Sequence, residues 1–179
     1  MRLKGTLPLD VLEELRSERE AMHNSGNSDE DAWLKLYRRQ FSRIDAILDA
    51  AETCGRRWLT EGEIPRIILD SLDWLKNEAG WSFLAATVMS THIHIVMRNG
   101  HGRSGELFDD IERFKRFTGR AANKVLDREG RFWAREEFDH WCRTPEKVEG
   151  AVRYVRQNPV QAGLVNKWQD WPWTVGDGV

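Results

Sequence analysis

Apolar residues recur at helical spacing through five stretches of the chain, which predicts five helices. Leu9 to about His23 carries Leu12 and Leu15 on one side of a segment that is otherwise charged. Asp31–Ala51 places Trp33, Leu36, Tyr37, Phe41, Ile44 and Leu48 on an apolar face. Ile64–Asn77 turns Ile67, Ile68, Leu72 and Leu75 inward. Glu106–Asp127 has a stripe of Leu107, Ile111, Phe114, Ala121 and Val125. Pro145–Gln157 has one of Val148, Ala151, Val152 and Val155, with Thr144 as the expected N-cap and Pro159 as the expected stop. The pattern changes between the third and fourth of these helices. Trp81–Met89 and His92–Arg98 read as two strands of a hairpin with Ser90-Thr91 at the bend, and Asn99–Gly105 reads as a glycine-rich loop. Phe132–Arg143 is expected to be a bent strand, and the tail with Trp168, Trp171 and Trp173 to pack back on the body.

Composition sets the bounds. The chain has 179 residues, 40 % of them apolar, enough for one domain plus extensions. No apolar run approaches the length of a membrane span, and no h-region follows Met1–Lys4. Cys54 and Cys142 are the only cysteines, and they lack metal-type spacing. A reduced, cytoplasmic protein is the expectation. Formal net charge is −2, which does not by itself point to nucleic acid. The average conceals a one-signed patch, in which Arg113, Arg116, Arg120 and Lys124 fall together on one face of the fourth helix. A charge run is usually a solvated face. One that does not alternate in sign favours phosphate contacts.

His92-Ile93-His94 is the sharpest chemical feature. Two histidines separated by one residue on a strand point to the same face, so two imidazoles converge as ligands for a divalent cation. A working site needs at least one more ligand. Tyr154 is the second candidate. It flanks the apolar stripe of the last helix, with Gly150 one turn before it and Asn158 one turn after it. The plainer readings are a polar strand face for the histidines, an amphipathic tyrosine for Tyr154 and a C-cap for Asn158. Trp133, Phe138 and Trp141 could stack unpaired bases or fill the core, and the lone histidines His101 and His140 receive no role.

Taken together, these segments resemble the REP-associated tyrosine transposases, a branch of the single-tyrosine HUH transposases. Met89-Ser90-Thr91-His92-Ile93-His94-Ile95-Val96 is similar to the family's MPNHVHLLV segment, with Ser90-Thr91 where the family has Pro-Asn. Phe114-Lys115-Arg116-Phe117-Thr118 resembles its K-x-F-T helix. Phe132-Trp133-Ala134-Arg135-Glu136 with Phe138-Asp139-His140 resembles FWQRE-x-FD-x. The run from Tyr154 through Asn158-Pro159-Val160 to Ala162-Gly163-Leu164-Val165 resembles Y-I-x-x-NPV-x-AGLV, and Trp171-Pro172-Trp173 resembles the terminal WPWSS. Order and spacing agree from about Trp81 to Trp173.

The resemblance implies an α+β fold, a ferredoxin-like antiparallel sheet with helices on one face. Residues 1–60 would be a helical extension and 61–179 the catalytic core. It implies cleavage and joining of single-stranded DNA at hairpins of repetitive extragenic palindromes, through a 5′-phosphotyrosine on Tyr154. Carried over by position, His92 and His94 bind Mg2+ or Mn2+ and Asn158 is the third ligand. Arg113, Arg116, Arg120 and Lys124 would contact DNA, and the protein would act as a monomer or homodimer away from membranes. A hairpin-binding protein without cleavage is the alternative; a phosphodiesterase using water is a third. The family opens on a strand of which Met1–Pro8 matches only the end; without it the backbone beside His92 and His94 would lose partners, so either the true start lies upstream, or another segment fills the slot, or this is a decayed copy.

Overall fold

The computed structural model describes residues 1–26, 28–51, 56–99, 107–135 and 141–176. Among these the fold is α+β, a three-stranded antiparallel sheet with five α-helices: α1 (Leu9–Asn24), α2 (Glu30–Ala51), α3 (Ile64–Asn77), α4 (Leu107–Val125) and α5 (Pro145–Gln161). The sheet consists of β1 (Trp81–Val88), β2 (Ile93–Asn99) and the short β3 (Thr174–Val175), in the order β2-β1-β3.

Alternation along β1 and β2 dictates the layers. Trp81, Phe83, Ala86, Val88 and Ile93 join Ile68, Leu72 and Leu75 of α3 and Phe114 and Ala122 of α4 in the main core. Leu84, Ala85 and Val96 instead meet Val148, Val152 and Val155 of α5. Helices therefore cover both faces, not one as the family resemblance implied. The reason is in the strands, where both alternating sets include apolar residues and neither face can be left to water. An irregularity between Phe83 and Ala85 resets the register, so that Thr87 pairs with His94 and Val88 with Ile93.

The slot beside the His92 end of β2 is filled. Met1 and Leu3 exchange backbone bonds with Thr91 and Ile93 (Leu3 N–H to Thr91 C=O 2.9 Å, Ile93 N–H to Met1 C=O 2.7 Å). On its other side this segment bonds Phe132 and Ala134 (Lys4 N–H to Phe132 C=O 2.8 Å, Ala134 N–H to Arg2 C=O 2.9 Å). The N-terminal ammonium adds a bond to the Ile93 carbonyl at 2.9 Å. The expected bent strand over Phe132–Arg143 is reduced, among its described residues, to a single bridge between Trp133 and Leu3, because its partner segment is so short. Phe138 and His140, like His101 in the glycine-rich segment, lie outside the described residues.

Pro159 does not stop α5, which runs on to Gln161. It sits in the last turn, where it removes one helical bond, the one an N–H at that position would make to the Val155 carbonyl. The end is instead made by Gly163 at φ +71°, with Leu164 N–H on the Pro159 carbonyl (2.9 Å) and Gly163 N–H on that of Val160 (3.0 Å). Thr144 caps the other end by accepting from the Lys147 N–H. The tail returns to β1 as expected: Trp171 Nε1 donates to the Val88 carbonyl at 3.0 Å, and Val88 N–H to that of Trp173 at 3.0 Å. Gly176 makes this close approach possible, since a Cβ there would lie 2.5 Å from the Leu84 carbonyl oxygen.

Helices α1 and α2 form a hairpin with its own small core of Leu7, Val11, Leu15, Ile44 and Leu48. Buried Gln40 ties them together, its Nε2 donating to the Leu15 carbonyl (3.0 Å) and to Glu18 (2.8 Å). Arg39–Glu18 and Arg43–Glu14 ion pairs flank that contact. No helix among the described residues is long and apolar enough to cross a membrane.

Candidate metal centre and tyrosine

His92 and His94 do point to one side of the sheet, and their Nε2 atoms lie 2.9 Å apart. They are not on an exposed face, however. His92 is 2 % exposed, because α5 and α2 cover the face that the sequence pattern had left to solvent. His92 also falls just before β2, in the bridge to Arg2.

Burial holds the His92 imidazole well below its ordinary pKa, and the neighbouring His94 and the N-terminal ammonium add to the shift. His92 is therefore a neutral ring, the form that binds metals. Thr91 Oγ1 lies 2.9 Å from His92 Nδ1. When Nδ1–H donates to that hydroxyl, Nε2 carries the lone pair and directs it toward His94 Nε2, 2.9 Å away. Thr91, in the bend between β1 and β2, thus supplies a hydrogen bond to the ring.

The third member of the cluster is Asp45 of α2, a residue the sequence reading passed over. Its Oδ1 lies 3.1 Å from His94 Nε2 and 3.9 Å from His92 Nε2. Asp45, His92 and His94 form a group able to hold a divalent cation. The spacing fits one. Adjacent ligands at the roughly 2.0–2.1 Å bond length of an octahedral Mg2+ stand about 2.9 Å apart, and opposed ligands about 4.1 Å apart. Two imidazoles and a carboxyl group also suit manganese. The signal that could have found Asp45 is a carboxylate one turn beyond Phe41, between the apolar positions Ile44 and Leu48.

Asn158 is fully buried on α5, and among the described residues neither its amide nitrogen nor its amide oxygen has a hydrogen-bond partner. Leaving such a group unsatisfied costs roughly 1–3 kcal/mol. An orphaned buried amide one turn after Tyr154 is consistent with a missing ligand, and its oxygen has the chemistry to join a hard cation.

Tyr154 is half-buried, and its ring stands edge-on to that of His94, centroids 5.6 Å apart. The packing of α5 on β1 and β2 brings it there. Phe41 of α2 touches the same two rings, 5.9 Å from Tyr154 and 6.1 Å from His94. The structure thus gathers His92, His94 and Tyr154 and adds Asp45 and Phe41.

Arg113, Arg116, Arg120 and Lys124 are all exposed on the outer side of α4, where Arg113 is 3.7 Å from Asp110. Trp133 is buried and donates from Nε1 to Thr118 at 2.9 Å, so it belongs to the core. Trp141 is 73 % exposed. The chain matches no protein-family model, no curated protein and no solved structure.

Proposed function

We propose that the protein is a metal-dependent, HUH-type tyrosine nuclease and strand transferase acting on single-stranded DNA at hairpins. The observation that carries this reading is the Tyr154 ring set against His94, whose Nε2 converges with His92 and Asp45. The motif order that resembles the REP-associated transposases supports it, as do the exposed cations Arg116, Arg120 and Lys124 of α4.

A phenol ionises near pH 10 in water, about three units above neutral, so Tyr154 needs help as a nucleophile. A divalent cation on His92, His94 and Asp45, with Asn158 alongside, would supply charge stabilisation at a phosphate oxygen. Tyr154 Oη forms a bond to phosphorus and gives up its proton to water. The phosphorus–oxygen bond to the 3′ side breaks, and the departing 3′-oxygen takes up a proton. The resulting 5′-phosphotyrosine keeps the phosphodiester energy, so attack by a 3′-hydroxyl rejoins strands without ATP. His92, neutral and buried, serves as a ligand here and not as the proton carrier. The exposed cations of α4 hold the hairpin stem through its phosphates.

The test is a denaturing gel with end-labelled single-stranded hairpin DNA and Mn2+ or Mg2+. The unmodified protein should give a covalent adduct that is lost on chelation. Tyr154→Phe should abolish the adduct while leaving hairpin binding nearly intact. An adduct of full strength from Tyr154→Phe would remove the nucleophile assignment. Hairpin binding with no adduct under any metal would favour a binding protein without cleavage.

A further inference from the structure

The apolar face expected for α2 divides in two. Leu36, Ile44 and Leu48 are buried. Trp33, Tyr37 and Phe41, spaced four residues apart, stand beside that face and are not buried; Tyr37 is 44 % exposed. Trp33 and Tyr37 stack on one another, with centroids 5.9 Å apart and planes 29° from parallel. Phe41 continues the row to Tyr154 and His94, and Asp45, four residues further on, ends it at the metal cluster. Three aromatic rings in line with a reactive tyrosine are more than a core requires.

We infer that this row is a stacking track for the unpaired strand next to the bond that Tyr154 cleaves. The inference rests on the reading of Tyr154 as the nucleophile of a single-strand nuclease. Steps of four residues advance about 6 Å along a helix, whereas bases stacked in a duplex strand advance about 3.4 Å. The row is therefore out of step with a duplex and suits bases splayed apart. Every base has a π-face, so such a track binds with little regard to sequence. Exposed Arg38, three residues before Phe41 and so on an adjoining strip of the helix, offers a cation to the backbone. The acid at its outer end, Glu30, is 3.2 Å from Arg143. Phe41, at the inner end, would hold the last base beside Tyr154 and so fix which phosphate enters the site.

The test compares DNA hairpins with single-stranded tails of increasing length, each carrying 2-aminopurine as a stacking reporter. Affinity for the unmodified protein should rise with each of the first few tail nucleotides. Tyr37→Ala, at an exposed position where folding is least at risk, should lower the gain from the tail by roughly ten-fold. It should also restore 2-aminopurine fluorescence, while the tailless hairpin binds as before. Tyr37→Phe keeps the ring and should retain the gain. Trp33→Leu should act as Tyr37→Ala does. If Tyr37→Ala keeps the full tail-dependent gain and the quenching, the track is wrong even where Tyr154 still forms its adduct. If the tail gain depends on Tyr37 but no adduct forms, the track stands and the nucleophile assignment fails. A Tyr37→Ala variant that converts a dimer to a monomer with DNA binding unchanged would give the row to a second copy of the chain and overturn the inference.

Discussion

His92 is surrounded by apolar packing, a second imidazole and the chain's own amino terminus, and each of these opposes a positive charge on its ring. A histidine whose folded pKa is depressed stabilises the fold above its unfolded pKa, near 6.5, and that contribution is lost as pH falls below it. In metal-free buffer, urea denaturation should show stability falling below pH 6.5, with a slope from this residue of at most about 1.4 kcal/mol per pH unit. His92→Asn should flatten that slope; an unchanged slope would mean that the ring titrates normally. At this scale the sequence was legible where chemistry is local. Two histidines one residue apart in extended chain share a face, and their rings, centroids 4.7 Å apart, bring the Nε2 atoms together. Asp45 was not legible, because it lies 47 residues before His92 and only the docking of α2 makes them neighbours.

Among the elements, periodicity placed α3 to the residue and the other helices nearly so, since amphipathic stripes and an N-cap are written locally. Two elements differ from expectation. α5 continues through Pro159 to Gln161, and of the strand expected over Phe132–Arg143 the described residues show one bridge, Trp133 to Leu3. The exposed cationic side of α4 is the element with the clearest functional forecast. Arg116→Ala and Arg120→Ala should each weaken hairpin binding and reduce the slope of log affinity against log salt by about one. A filter-binding series at several salt concentrations reads this directly. Slopes that match the unmodified protein would return the stripe to a solvated face. Because both side chains are exposed, thermal stability should change little.

Across the whole molecule, one covered sheet and one separately cored helical hairpin meet at the cluster of Asp45, His92 and His94. A cation there would bind a ligand from α2 and two from the sheet, so it should stabilise the assembly and not just the strand. Mn2+ at about a hundred times its Kd should add about 2.7 kcal/mol, or a rise in Tm of roughly 5–10 °C. Asp45→Ala should remove most of that rise while leaving the metal-free Tm close to its original value. A Tm indifferent to Mn2+ would count against the site. Which helices cover the two faces of the sheet was not legible from periodicity. It depends on long-range pairing between apolar sets on β1, β2, α3 and α5, each of which looks alike in one dimension.

The central claim is that Tyr154 becomes covalently joined to DNA, and the most direct measurement is the site of attachment. The chain has two tyrosines, and trypsin separates them: cleavage after Lys35 and Arg38 releases Tyr37, and cleavage after Arg153 and Arg156 releases Tyr154. Protein incubated with single-stranded hairpin DNA and Mn2+, digested with nuclease and trypsin, can be read by mass spectrometry. The account predicts a 5′-linked nucleotide on the peptide Tyr154-Val155-Arg156 and an unmodified Tyr37 peptide. A nucleotide on Tyr37, or cleaved DNA with both tyrosines unmodified throughout the time course, would contradict it.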